Sequence, residues 1–233
     1  MKSARQHFQQ LLKTETINTN LRASLLSQVL RISETYLQED HANQYLANAF
    51  LSDIAPDNAA YLLARDNLKN QLISSFEDNL AKLKAAHDKV EGTTWYYHSQ
   101  RPANPSVIFY LGRKKDGNVW LRMKGEYHSK YGWLFVKRIV AWRDGQKAQL
   151  MTGKFKRRNT SYIWETMDVS PTTTQISTML AMAQAEEAIF RFEGEKGSRD
   201  YTLSAKDKLA ISKIHSVYEE YQILRELEIA PGH

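Results

Sequence analysis

"NVWLRMKGEYHSK", residues 118–130, decides the fold class. One parity of this stretch carries Trp120, Arg122, Lys124, Glu126, His128 and Lys130, and the other carries Leu121, Met123 and Tyr127. Side chains alternate across a strand with period two, so the stretch reads as a β-strand with one dry face and one basic face. The same period, in aromatic and β-branched residues, runs outward on both sides. It is found in "TWYYHS" (94–99), "SVIFYLG" (106–112), "GWLFVKRIVAW" (132–142), "KAQLMTG" (147–153) and "YIWETMDV" (162–169). Asp116-Gly117 and Asp144-Gly145 each lie between two such runs, and Asp-Gly suits the positive φ angles of a tight hairpin. The expectation is an antiparallel sheet.

Further out the period changes. Before Gly92, Leu25, Val29, Ile32 and Tyr36 recur at helical spacing, as do Leu72, Phe76, Leu80 and Leu83. Asn20 and Asp40 are candidate N-caps, and Pro56 marks a break before a long helix expected over about 58–89 and ended by Gly92. A short N-terminal helix precedes these. After the sheet, "TTTQISTMLAMAQAEE" (172–187) reads as a helix and "EAIFRFEG" (187–194) as a returning strand. Ser204 with Asp207 forms a capping-box pattern, opening a final helix striped by Ala210, Ile214, Val217, Tyr221 and Leu224. The fold class is therefore α+β: a helical region over 1–91, then an antiparallel β-sheet domain with two packed helices over 92–233.

Composition narrows the chemistry. The chain of 233 residues contains no cysteine, which excludes disulfides, thiolate metal sites and cysteine nucleophiles. No run of about 18 apolar residues occurs, and "MKSARQHFQQLLKTET" lacks the apolar core of a secretory signal, so a cytoplasmic protein with no membrane span is expected. The net charge of +6 conceals a strong asymmetry. Residues 93–170 alone carry 15 Lys and Arg against 5 Asp and Glu, so the whole excess belongs to the sheet.

Two readings of that excess stand side by side. A solvated sheet face commonly carries Lys and Arg, which also resist edge-to-edge aggregation. Cations interleaved with aromatic rings are equally what single-stranded nucleic acid requires, since phosphates meet charge and bases stack on rings. On the second reading Arg122, Lys124, Lys137, Lys154, Lys156 and Arg158 face phosphates while Trp120 or Trp133 stacks. "GKFKRRNTSYIW" (153–164) concentrates both residue types. Arg138 breaks strict alternation, sharing the side of Val136 and Val140, and a β-bulge nearby would resolve it.

Catalytic signatures are sparse. Glu126 and His128 share a strand face, which permits a proton-transferring pair, but same-face pairs of this kind arise readily on any polar strand. There is no phosphate loop, nucleophile elbow or HExxH, and no metal or cofactor is expected.

The segments "VEGTTWYYHSQRP", "FYLGRKKDGNVWLRMKGEY", "YGWLFVKRIVAWRDGQ", "YIWETMDV" and "AIFRFEGEKGSRDYTLSAKDKLAISKIHSVYEEY" resemble, in order and spacing, a domain of uncharacterised bacterial proteins, some of them lipoproteins. The likeness covers about residues 90–222. It implies a shared β-rich fold, with no assigned chemistry and no site residues, and the helical first third lies outside it. Unlike the envelope-bound members, this chain shows neither signal peptide nor lipidation cysteine. The expectation is a non-catalytic bacterial or phage accessory factor binding nucleic acid or an acidic protein. The alternative is a protein-interaction module that assembles, with its own copies or another chain, through its N-terminal helices.

Overall fold

The computed structural model describes residues 10, 19–36, 40–98 and 104–231. The short N-terminal helix expected from the sequence falls almost entirely outside them. The chain divides into two units, 1–79 with 220–233, and 80–219.

The first unit is helical. Helix α1 (Thr19–Tyr36) is followed by α2 (His41–Ile54) and α3 (Ala59–Ala81). Asp40 caps α2, accepting the backbone N–H of Asn43 at 3.0 Å, and this holds its carboxyl below the usual range. Asn20 is not a cap, because α1 already includes Thr19. Val29 of α1 packs with Ala47, Phe50, Leu51 and Ile54 of α2 in a small core that Tyr61 of α3 flanks.

The helix after Pro56 is shorter than its apolar period suggests. It stops at Ala81, and β1 (Lys84–Asp88) pairs antiparallel with β2 (Thr93–Tyr97). Local turn chemistry decides this. The Asp88 carboxylate accepts the N–H groups of Val90 and Glu91 at 3.0 and 3.1 Å, and Gly92 takes φ +64°. Gly92 therefore closes a hairpin instead of ending a helix.

The second unit is a sandwich of two antiparallel sheets. The remaining strands are β3 (Ser106–Lys114), β4 (Val119–Ser129), β5 (Val136–Arg143), β6 (Gln146–Thr152), β7 (Lys156–Asn159), β8 (Ile163–Val169), β9 (Ala188–Gly194) and β10 (Gly197–Thr202). Helix α4 (Thr173–Gln184) lies between β8 and β9 in the chain, and α5 (Ala205–Glu226) follows β10. The six-stranded sheet runs β1-β2-β3-β4-β8-β7, and the four-stranded sheet runs β10-β9-β5-β6. Both Asp-Gly hairpins form, with Gly117 at φ +84° and with Asp144 and Gly145 at φ +46° and +81°. The capping box at Ser204 forms as well, Ser204 N–H donating to Asp207 at 2.9 Å and Asp207 N–H to the Ser204 hydroxyl at 3.3 Å.

Three close contacts fix the sandwich, two of them between its sheets and one at the entry to β5. At Gly125 of β4 a Cβ would lie 2.4 Å from Ile139 Cδ1 of β5, so the dry faces of the sheets meet there without room for a methyl. At Gly194 of β9 a Cβ would lie 2.1 Å from the Leu134 carbonyl oxygen, where backbone cannot yield. Glu165 of β8 is fully buried, and its carboxylate accepts the N–H groups of Leu134, Phe135 and Val136 at 2.8, 2.9 and 2.8 Å. Those bonds satisfy a buried charge and fix Phe135 at φ +55°, at the entry to β5.

The bulge needed for Arg138 is present. Register shifts between Val136 and Arg138 in the pairing with β9, so Val136 stays buried while Arg138 sits opposite Glu193 on the exposed side.

Candidate nucleic-acid interface

Antiparallel partners opposite each other share a face, so register alone assembles the outer surface of the six-stranded sheet. Tyr110 opposes Arg122, Gly112 opposes both Trp95 and Trp120, Lys124 opposes Asp168, and Glu126 opposes Thr166. Trp164 has His128 on one side and Arg158 on the other, and Thr166 has Lys156 beyond it. This face is the solvent side of the strand parity that carries Leu121 and Met123 inward.

Its β2–β3 end is an aromatic block. Tyr97 stacks on Tyr110 at 5.2 Å and 10°, and Trp95 meets Trp120 edge-on at 5.6 Å. Both indoles sit over Gly112, where a Cβ would come within 2.4 Å of Trp120. Burial and the Asp168 carboxylate push the Tyr110 hydroxyl well above the usual phenol range, so it stays protonated and donates to Asp168.

The centre of the face is charged but internally neutralised. Arg122 bonds Asp168 through Nε at 3.0 Å and Nη2 at 2.8 Å, with Nη1 on the Ser170 hydroxyl at 2.9 Å. Lys124 pairs with Glu126 two residues along the same strand.

The β7 margin differs. His128 lies over Trp164 with centroids 4.5 Å apart, and Tyr162 presents its edge to His128 at 5.7 Å. Lys130 Nζ stands 5.0 Å from the Tyr162 ring centroid. Asn104 holds the strand here, accepting the His128 N–H at 2.7 Å. Lys156 and Arg158 project from the edge strand on this face, exposed, and neither meets a carboxylate among the described residues. The intervening Arg157 turns to the other side, 3.4 Å from Glu165 and over the Phe135 ring. Lys154, in the loop before β7, is likewise exposed beside the buried anchor Phe155.

The predicted site residues therefore separate. Trp120, Arg122, Lys124, Lys156 and Arg158 share one face, while Lys154 stands in the adjoining loop. Lys137 belongs to the four-stranded sheet and pairs with Glu195 at 3.2 Å. Trp133 lies in the loop entering β5, its ring 6.1 Å from Phe135. Tyr162 and Trp164 stand beside Lys156 and Arg158 in the stretch 153–164 but were not singled out for stacking, and the ring role of His128 went unread in the sequence. The adjacency of β4 and β8, across three intervening strands, is what brings them together. Glu126 and His128 make no hydrogen-bonded pair: the carboxylate engages Lys124, and the imidazole lies against Trp164 at a tilt of 34°. Among the described residues no group of three His, Asp or Glu side chains could hold a metal ion, and no helix is long and apolar enough to cross a membrane. Comparison with known proteins finds no matching family model, no similar curated protein and no similar solved structure.

Proposed function

We propose that the sandwich unit binds single-stranded nucleic acid along the β7 margin of its six-stranded sheet, as a cytoplasmic, non-catalytic accessory factor of bacterial or phage origin. The observation carrying this reading is the juxtaposition of unanswered cations, Lys156 and Arg158, with the ring group of His128, Tyr162 and Trp164 on one face. Phosphates track the edge-strand cations, and bases stack on the adjacent rings. A duplex keeps its bases stacked on one another, so the rings favour a single strand. Arg122 and Lys124 contribute less, because their charge is already answered by Asp168 and Glu126. Trp120 extends the stacking surface at the far end of the face. Lys137 and Trp133, off this face, stand outside the proposed site.

The test is oligonucleotide binding titrated against salt. Four phosphates neutralised by Lys130, Lys154, Lys156 and Arg158 predict a log–log slope of about −3 for single strands. Absence of binding at low salt refutes the reading. A second reading, assembly through the first unit, is favoured by the exposure of Leu21 and Ile32 on α1 and Leu63 on α3. It predicts a stable oligomer in light scattering without oligonucleotide affinity.

A further inference from the structure

Beneath α4, on the face that the β5–β6 hairpin turns toward that helix, the sandwich unit holds a groove of about 210 Å³. Its floor exists because two facing strand residues, Ala141 and Ala148, carry only methyls. Arg143, one pair further along opposite Gln146, enters the groove half-buried, whereas Lys147 pairs with Trp142 and so belongs to the other face of the hairpin. Thr174 and Ser177 line the opposite wall from α4.

The polar inventory is one-sided. No carboxylate lines the groove. Asp144, the nearest in sequence, is exposed in the turn and accepts the Glu187 N–H at 3.0 Å, while Glu186 and Glu187 are exposed and outside the lining. Neither Arg143 nor Lys147 has an ion-pair or side-chain hydrogen-bond partner among the described residues. A guanidinium offers five N–H donors in a planar fork, and a half-buried one ordinarily finds an acceptor. Elsewhere in this unit the half-buried Arg122 follows that rule, with Asp168 as its acceptor.

We infer that this groove is a binding site for a tetrahedral oxyanion, a phosphate taken either free or as the terminal phosphate of a nucleotide. Arg143 grips two oxygens in its fork, and the hydroxyls of Thr174 and Ser177 donate to the remaining oxygens. The volume sets the class. Sites for larger organic ligands run to roughly 300–1,000 Å³, so the groove suits a phosphate group and leaves an attached nucleoside outside.

Phosphorus NMR line broadening on the full chain, at constant ionic strength, tests the site with inorganic phosphate and with AMP as probes. Saturable broadening by either probe is expected, with the terminal-phosphate source indicated if AMP binds about tenfold tighter. Arg143→Gln should weaken binding about tenfold by removing the fork. Ala148→Leu should abolish it by filling the floor, with the charge retained. Both variants should keep wild-type oligonucleotide affinity, which separates this site from the β7 margin. Absence of saturable binding up to about 20 mM overturns the inference, as does equal binding by wild type and Ala148→Leu.

Discussion

Two surfaces of the sandwich unit carry dense charge, and they differ in whether that charge is answered. On the outer face of the four-stranded sheet, Arg138 bonds Glu193 at 2.5 Å, Arg191 bonds Asp200 at 2.6 Å and Lys137 bonds Glu195 at 3.2 Å. Arg191 holds the Asp200 carboxyl below its usual range. The first two are cross-strand pairs of a solvated face, and these three cations have a local role already. At the β7 margin of the other sheet, Arg158 opposes Trp164 and Lys156 opposes Thr166, and neither meets a carboxylate among the described residues. Counting cations along the sequence cannot distinguish the two surfaces. Pairing does.

The largest expected effect comes from reversing the unanswered charges. Changing Lys154, Lys156 and Arg158 together to Glu should reduce single-strand affinity about 100-fold and flatten the salt slope by about 2. The melting temperature should stay within about 2 °C, since exposed cations without partners stabilise little. A variant that unfolds would show the margin to be structural. Next, Trp164→Ala should weaken binding about tenfold with an unchanged salt slope, because stacking contributes without releasing counterions. A flattened slope in that variant would mean the ring merely positions the cations.

Moving an answered cation into the unanswered class sharpens the contrast. Asp168→Asn frees Arg122 while leaving the Tyr110 hydroxyl an acceptor, and should tighten single-strand binding about threefold with a steeper salt slope. An unchanged slope would show that Arg122 lies off the strand's path. The smallest effect belongs to the four-stranded sheet, where Arg138→Gln should alter affinity less than about twofold and stability by less than about 1 kcal/mol in urea titration. A larger loss of binding there would extend the interface onto the second sheet.

Much of this architecture is legible in the chain, for local reasons. Alternation in 118–130 assigned the dry and wet faces of β4, the two Asp-Gly pairs placed hairpins, and the broken alternation at Arg138 located a bulge. What escaped depends on distant partners. Residues 84–88 follow directly on a helical apolar stripe that ends at Leu83, yet pair as β1 because Asp88 and Gly92 build a turn that returns the chain onto β2. Strand β10, "GSRDYT", has almost no apolar signal, its position set by pairing with β9. The margin itself was half visible: Lys156, Arg158, Tyr162 and Trp164 stand in one stretch of the chain, whereas His128 arrives from β4 by register. Glu165 looked like any strand carboxylate. Only the approach of the 134–136 backbone makes it the buried acceptor of three N–H groups.

Gly194 gives the end of the strand "AIFRFEG" a steric meaning. With the Leu134 carbonyl oxygen 2.1 Å from where any side chain would begin, every larger residue is barred by main chain that has nowhere to retreat. A homologue keeping this crossing must therefore keep a hydrogen at that spot. One carrying alanine or serine instead announces that its strands enter the second layer by another route.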